Sequence, residues 1–253
     1  MTLPILYEDT DVVAVAKPAG LITHSDGRTI EETAEDWFKE KYPETSALVS
    51  AAEEGSDERK VGYVHRLDRD TSGVLVFAKN PVAYDFLRKA FHDRDVKKTY
   101  LAFTYGAPKE KKGVIDFDIG RSRKDFRLRS AQPKAKGHMR EALTRYEVVG
   151  ESGDYALMKM SPETGRTHQI RVHLKAIHHP IVGDKLYAPK QKLALPGPRS
   201  LGGVGGITRL GLHAYSIDLP LPKGGRVTIT APIPPDLAEA YAHFPGADAV
   251  FAL

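Results

Sequence analysis

The chain contains no cysteine. Disulfides, thiolate nucleophiles and cysteine-ligated zinc are thereby excluded. Long apolar runs are also missing: no stretch approaches the ~20 residues that a bilayer-spanning helix needs. The opening Met1-Thr2-Leu3-Pro4-Ile5-Leu6-Tyr7-Glu8-Asp9 lacks a basic region followed by a long apolar one, so no signal peptide is read there. A cytoplasmic protein that does not engage membranes is expected. The Gly/Pro-rich stretch from Leu195 to Gly206 has no Gly-Lys-Ser/Thr after it, which excludes a nucleotide phosphate loop of that type. Ser72 sits in no Gly-x-Ser-x-Gly elbow, which argues against a hydrolase built from Ser72, His65 and Asp68. No internal repeat is visible.

Four histidines invite a metal reading: His168, His173, His178 and His179. The spacing from 168 to 173 is five, not the i, i+4 spacing that brings two imidazoles together on a helix. No acidic residue sits suitably near, so no metal is expected.

The 253 residues suit one large domain or two small ones, and 41% hydrophobic content supports a substantial core. Net charge is +4 and the pI about 9.0. The distribution says more than the sum. Residues 121–140 hold Arg121, Arg123, Lys124, Arg127, Arg129, Lys134, Lys136 and Arg140 against the single acid Asp125, with Phe126 and His138 interleaved. No apolar period runs through them, so an exposed basic loop or hairpin that contacts phosphates is expected.

Ile5–Tyr7 and Val12–Ala16 read as two strands across a polar turn, broken after Lys17 by Pro18-Ala19-Gly20. A lysine at such a strand end can meet an anion or simply be exposed. Thr29 and Glu32 fit a capping box, followed by an apolar helix face at Ile30, Ala34, Trp37 and Phe38 that Pro43 ends. Residues 44–60 read as a mobile surface connection. Asn80 and Pro81 start a helix whose stripe is Ala83, Phe86, Leu87, Ala90 and Phe91. Lys97–Tyr105 is a strand with Lys98, Tyr100, Ala102 and Thr104 on one face. A hairpin follows over 141–160. A helix with Ile170, Leu174 and Ile177 inward carries Arg171 at the edge of that face. Strands near 212–219 and 226–230 and a helix at 235–241 complete the chain. Strands outnumber helices and rarely alternate with them, which favours α+β with a largely antiparallel sheet.

The densest cluster of charge is His65-Arg66-Leu67-Asp68-Arg69-Asp70-Thr71-Ser72-Gly73, and it runs straight into the apolar Val74–Ala78. Burying unpaired charge is costly, so this loop is either held by local Arg–Asp pairs or places side chains for a purpose. The nine residues resemble the signature of the RluA family of RNA pseudouridine synthases. Lys17-Pro18-Ala19-Gly20 resembles that family's N-terminal element, and Lys98-Thr99-Tyr100-Leu101-Ala102 its tyrosine motif. The segment from Thr164 to Leu174 resembles its arginine motif, continued by His179-Pro180-Ile181-Val182-Gly183-Asp184. The matched elements keep the family's order.

The resemblance implies the pseudouridine synthase fold: a mixed, largely antiparallel bent sheet flanked by helices and loops, with a central catalytic cleft. It implies an isomerase that converts specific uridines of structured RNA, rRNA first or tRNA, to pseudouridine after base flipping. Asp68 would be the catalytic aspartate, Tyr100 would pack on the uracil, and Arg171 would pair with Asp68. Arg66 would fill the space left by the extruded uridine. Thr71, Ser72 and Gly73 would shape the turn, and Asp70 would be structural. Lys17, His65, Arg121, Arg123, Lys124, Arg127, Arg129 and Arg166 would hold the RNA. No metal or organic cofactor is required, and a monomer is expected. With a first strand so near Met1, residues 1–253 are expected to be one catalytic domain of the form lacking an N-terminal S4 domain. Two alternatives stay open: a non-catalytic RNA-binding or ribosome-assembly factor on the same scaffold, and a hydrolase using His65 and Asp68.

Overall fold

The computed structural model describes residues 1–25, 30–46, 62–123, 125, 128–131, 136–188, 207–244 and 246–251. Among the described residues there are twelve strands and four α-helices, an α+β composition, in two compact units. One unit is Met1–Lys97 with Ala214–Pro232, and the other is Lys98–His213 with Ile233–Leu253. No described helix is long and apolar enough to cross a membrane.

The first unit is built on β1 (Ile5–Glu8), β2 (Val12–Lys17) and β3 (Ser72–Ala78), paired antiparallel in that order. Every residue of β3 is buried, because both of its faces are covered. Val74, Val76 and Ala78 point toward helix α2 (Pro81–His92) and join Val12, Ala14, Ala83, Leu87 and Ala90 in one core. Phe77 points the other way and stacks on Phe38 of helix α1 (Ala34–Lys41), with ring centroids 4.7 Å apart. Asn80 caps α2 by accepting from the Ala83 amide, with Pro81 in the first turn, as the sequence implies.

Two local expectations are corrected here. The capping box of α1 is Thr33 with Asp36, one turn later than expected, and Thr29 of the expected box lies outside the described residues. The Thr33 hydroxyl accepts from the Asp36 amide, and the Asp36 carboxylate accepts from the Thr33 amide. Ile30 is fully exposed and outside the helix, whereas Ala34, Trp37 and Phe38 face inward as expected. Phe86 also lies at the surface: the inward stripe of α2 is Ala83, Leu87 and Ala90, and Phe86 falls beside it.

In the second unit β4 (Lys97–Tyr105) leads an antiparallel series β4–β10–β9–β5. Its other members are β5 (Lys112–Asp116), β9 (Leu143–Ser152) and β10 (Tyr155–Pro162). Helix α3 (Gln169–Ala176) lays Ile170 and Leu174 on Ala102, Met158 and Met160 of this sheet. Part of the basic stretch forms a separate small antiparallel sheet, in which β6 (Ile119–Arg121) lies between β7 (Arg129–Ser130) and β8 (Lys136–Arg140). It is held by Ile119 and Leu128, which pack with Val172 of α3 and Tyr187.

The later strands are β11 (Leu212–Pro220) and β12 (Arg226–Thr230), an antiparallel hairpin, and the chain closes with α4 (Pro235–Tyr241). Residues 47–60 of the expected mobile connection lie outside the described residues, and Pro43–Ser46 form a short 3-10 turn. The Gly/Pro-rich stretch 195–206 lies outside them as well.

Candidate active site

The charged loop 65–71 is fixed through its backbone, residue by alternate residue. Leu67 is buried, and both its amide and its carbonyl bond to the Thr23 hydroxyl, at 3.1 and 2.9 Å. The Arg69 carbonyl accepts from the Gly20 amide at 2.9 Å and from the Lys17 ammonium at 3.0 Å. The Thr71 amide donates to the Asp68 carbonyl at 3.1 Å, closing a turn. Between these anchors Arg66 projects into solvent and Asp68 is half-buried. A carboxylate on a loop whose backbone is tied down on both sides starts from a fixed position, which lowers the ordering cost at the moment of binding.

Gly73 explains why a glycine must end the loop. Its φ is +122°, and a Cβ there would lie 2.1 Å from the Ala214 carbonyl oxygen of β11. Ser72 and Gly73 therefore begin strand β3 and are not part of the turn, which corrects their expected place. Asp70 is exposed, and Arg69 pairs with Glu31 at the surface at 2.8 Å.

Lys17 is put to a different use from the expected RNA contact. It is 1% exposed, and its ammonium donates to the carbonyls of Pro18, Leu21 and Arg69 at 2.9, 2.8 and 3.0 Å. Three donors meet three acceptors, and the charge is spent on drawing the Pro18–Leu21 turn and the charged loop together. His65 is likewise engaged inside its unit: Nε2 accepts from the Val76 amide at 3.1 Å, and the ring stacks on Phe91.

In the second unit Tyr100 lies on β4 opposite Met160 and packs half-buried against the Ala102–Met158–Met160 core. Arg171, on the first turn of α3, is 5% exposed. Its Nε and Nη2 donate to the two carboxylate oxygens of Asp184 at 2.8 and 2.9 Å. Asp184 also accepts from the amides of Leu186 and Tyr187, each at 3.0 Å. The Arg171 guanidinium lies 5.1 Å from the centre of the Tyr187 ring. The Tyr187 hydroxyl accepts from the Arg129 amide and meets His168 Nδ1, both at 2.9 Å. One tyrosine thus links the arginine helix to the basic strands. Gly183 permits this: its φ is +74°, and a Cβ would lie 1.9 Å from the Arg209 carbonyl oxygen.

Sequence reasoning named Arg171 but missed Asp184, its partner thirteen positions on. The Gly183-Asp184 pair was in view only as part of a matched motif. It also missed the hub at Gln169, whose amide nitrogen donates to the Leu143 carbonyl and the Thr144 hydroxyl while its oxygen accepts from the Thr164 hydroxyl and the Arg166 amide. His173 extends the hub to Thr144 and the Phe117 carbonyl, and burial holds its pKa below the ordinary histidine value. Arg166 Nε donates to the Glu141 carbonyl at 2.9 Å. Arg121 and Arg123 are exposed, and Arg129 is half-buried; Lys124, Arg127 and Lys134 lie outside the described residues.

The family profile described as RNA pseudouridylate synthase matches residues 11–176, which include the charged loop, the tyrosine strand and Arg171. The chain belongs to this family. It is 37% identical over 237 residues to ribosomal large subunit pseudouridine synthase D of Nitrosomonas europaea, covering 93% of this chain and 63% of that protein. It is 40% identical over 240 residues to an uncharacterized RNA pseudouridine synthase of Mycobacterium bovis, covering 94% of this chain and 71% of the relative. The solved structure of human RNA pseudouridylate synthase domain containing 1 superposes with a TM-score of 0.70 at 26% identity, over 92% of this chain and 84% of that one. The chain thus spans less than two thirds of the length of some curated relatives and somewhat more of others.

Proposed function

We propose that the protein isomerises specific uridines of structured RNA to pseudouridine, with ribosomal RNA as the first substrate to test and transfer RNA as the second. The observation that carries this reading is the clamped loop. Leu67, Arg69 and Thr71 are anchored by backbone bonds, and the half-buried Asp68 is held between them. Family membership supplies the reaction that such a carboxylate would perform. The ribosomal assignment is carried by the Nitrosomonas relative's name.

In this reading the target uridine is extruded from the RNA, at a cost of a few kcal/mol. The exposed Arg66 takes the vacated place with its planar cation, and Tyr100 packs on the uracil ring. Asp68 attacks the nucleoside or removes a proton from it while the C1′–N1 bond breaks. The base turns and C5 bonds to C1′ as the bond to Asp68 breaks or the proton it removed returns. The C5 proton leaves to solvent and N1 gains one from solvent, so the product is an isomer of the uridine. Arg171 supplies a cation to the reaction, and its guanidinium plane is fixed by Asp184 and Tyr187. Arg121, Arg123, Lys124, Arg127, Arg129 and Arg166 neutralise phosphates along the RNA. The protein acts as a cytoplasmic monomer and requires no cofactor.

Release of tritium from RNA transcripts labelled at uridine C5 tests the reading directly, because the isomerisation loses that hydrogen. Wild-type protein should release it and Asp68→Asn should not, while both bind RNA. Equal release by the two proteins would refute the role of Asp68.

A further inference from the structure

The two lysines of the matched motifs differ: Lys17 is buried, whereas Lys98 is half-buried. Lys17 has all three ammonium donors on carbonyl oxygens. Lys98, in β4, has one protein acceptor among the described residues, the Thr164 carbonyl at 3.1 Å. No described carboxylate lies within ion-pairing distance of it, so its half-buried charge is not met by a counter-charge among the described residues. Burial alone depresses its pKa to about 8. Lys98 keeps a desolvated charge and two donors beyond the Thr164 bond. It also keeps some surface open, so an incoming group can reach it.

Its place on the strand says what that group is. Lys98 and Tyr100 are two residues apart in β4, on the same face, roughly 7 Å apart along the strand. Resting on the reading that Tyr100 packs on the target uracil, we propose that Lys98 is a further catalytic residue whose ammonium donates to a carbonyl oxygen of that uracil. When the C1′–N1 bond breaks, its electron pair passes to the base and the ring carbonyls take up negative charge. The pair that forms the new C5–C1′ bond comes back from the base, so the charge on the oxygen is transient and no proton need leave Lys98. A donor aimed at that oxygen binds the transition state more tightly than the ground state, which is the condition for raising the rate. The anchoring of Lys98 to Thr164 keeps it in place without neutralising it.

The test is Lys98→Met, read by single-turnover tritium release from uridine-labelled ribosomal and transfer RNA transcripts, by RNA affinity and by thermal melting. The expected result is a rate at least tenfold below wild type, RNA affinity within threefold, and a melting temperature equal to or above wild type. A wild-type rate in Lys98→Met would overturn the role. So would a slowed rate accompanied by a fall in melting temperature of several degrees, since that is what a purely structural lysine predicts. A measurement on wild-type protein stands even where the variant does not fold. Transcripts with sulfur in place of the uracil O2 or O4, a weak acceptor, should be turned over at least tenfold more slowly in one of the two cases. Undiminished rates with both would overturn the contact. Wild-type protein that releases no tritium from any transcript would overturn the isomerase reading and this role together. Active wild-type protein with an equally active Lys98→Met would overturn this role alone.

Discussion

Asp184→Asn removes one charge and little else. The Asp184 side chain is fully buried and that of Arg171 is 6% exposed, so solvent screens their interaction poorly. The carboxylate accepts from Arg171 Nε and Nη2 at 2.8 and 2.9 Å and from two backbone amides at 3.0 Å. A hydrogen bond to a charged group contributes about 1.5–3 kcal/mol, and removing one member of a buried ion pair costs about 3–5 kcal/mol because the other charge stays behind. Asparagine keeps one acceptor oxygen, which places the expected loss near the lower end, about 3 kcal/mol. For a chain of this size that lowers the melting temperature by roughly 6–12 °C. Equilibrium urea unfolding and thermal melting both report it. Arg171→Met combined with Asp184→Asn should cost clearly less than the sum of the two single losses, with a coupling of about 2 kcal/mol. A loss below about 1 kcal/mol for Asp184→Asn, or strict additivity in the double variant, would refute the claim that this pair fixes the guanidinium.

Other perturbations test other parts of the scaffold. His173 is held below the ordinary histidine pKa by burial, so the unfolded chain takes up its proton first as pH falls. Its contribution to stability is therefore full above about pH 6.5 and declines below it. The urea midpoint should drop more between pH 7.5 and 5.5 in wild type than in His173→Gln, and equal drops would contradict this. Gly73→Ala should fail to fold or should melt many degrees lower, since its Cβ would lie 2.1 Å from a backbone oxygen; a variant with wild-type melting would show that the approach is not obligatory. Arg121→Gln and Arg123→Gln should each reduce the slope of log affinity for RNA against log salt by about 0.7–0.9, with little change in turnover of bound RNA. An unchanged slope would remove that residue from the RNA contacts.

Much of the architecture was legible because local and tertiary signals agree. Lys97–Tyr105 and Pro235–Tyr241 fall where their patterns place them, and Asn80-Pro81 opens its helix. Two sites with equally good local chemistry misled. Thr29…Glu32 and Thr33…Asp36 both have capping-box spacing, and burial of Ala34, Trp37 and Phe38 selects the second. Lys17 looked like an anion-binding lysine because nothing nearby in sequence reveals the Arg69 carbonyl, 52 positions away, that takes one of its donors. Asp184 was hidden for the same reason. A buried ion pair is a tertiary fact, and a separation of thirteen positions with a turn at Gly183 leaves no periodic trace of it. The charged loop stood out in the sequence, but its rigidity did not, since that depends on the hydroxyl of Thr23, 44 positions upstream.

The most direct test of the account is position-resolved pseudouridine mapping of ribosomal and transfer RNA from cells that lack this protein, complemented with wild type or with Asp68→Asn. The account predicts that wild type restores pseudouridine at one or more discrete positions and that Asp68→Asn restores none while still binding the RNA. Identical maps from the two proteins, or a map unaffected by loss of the protein, would contradict it.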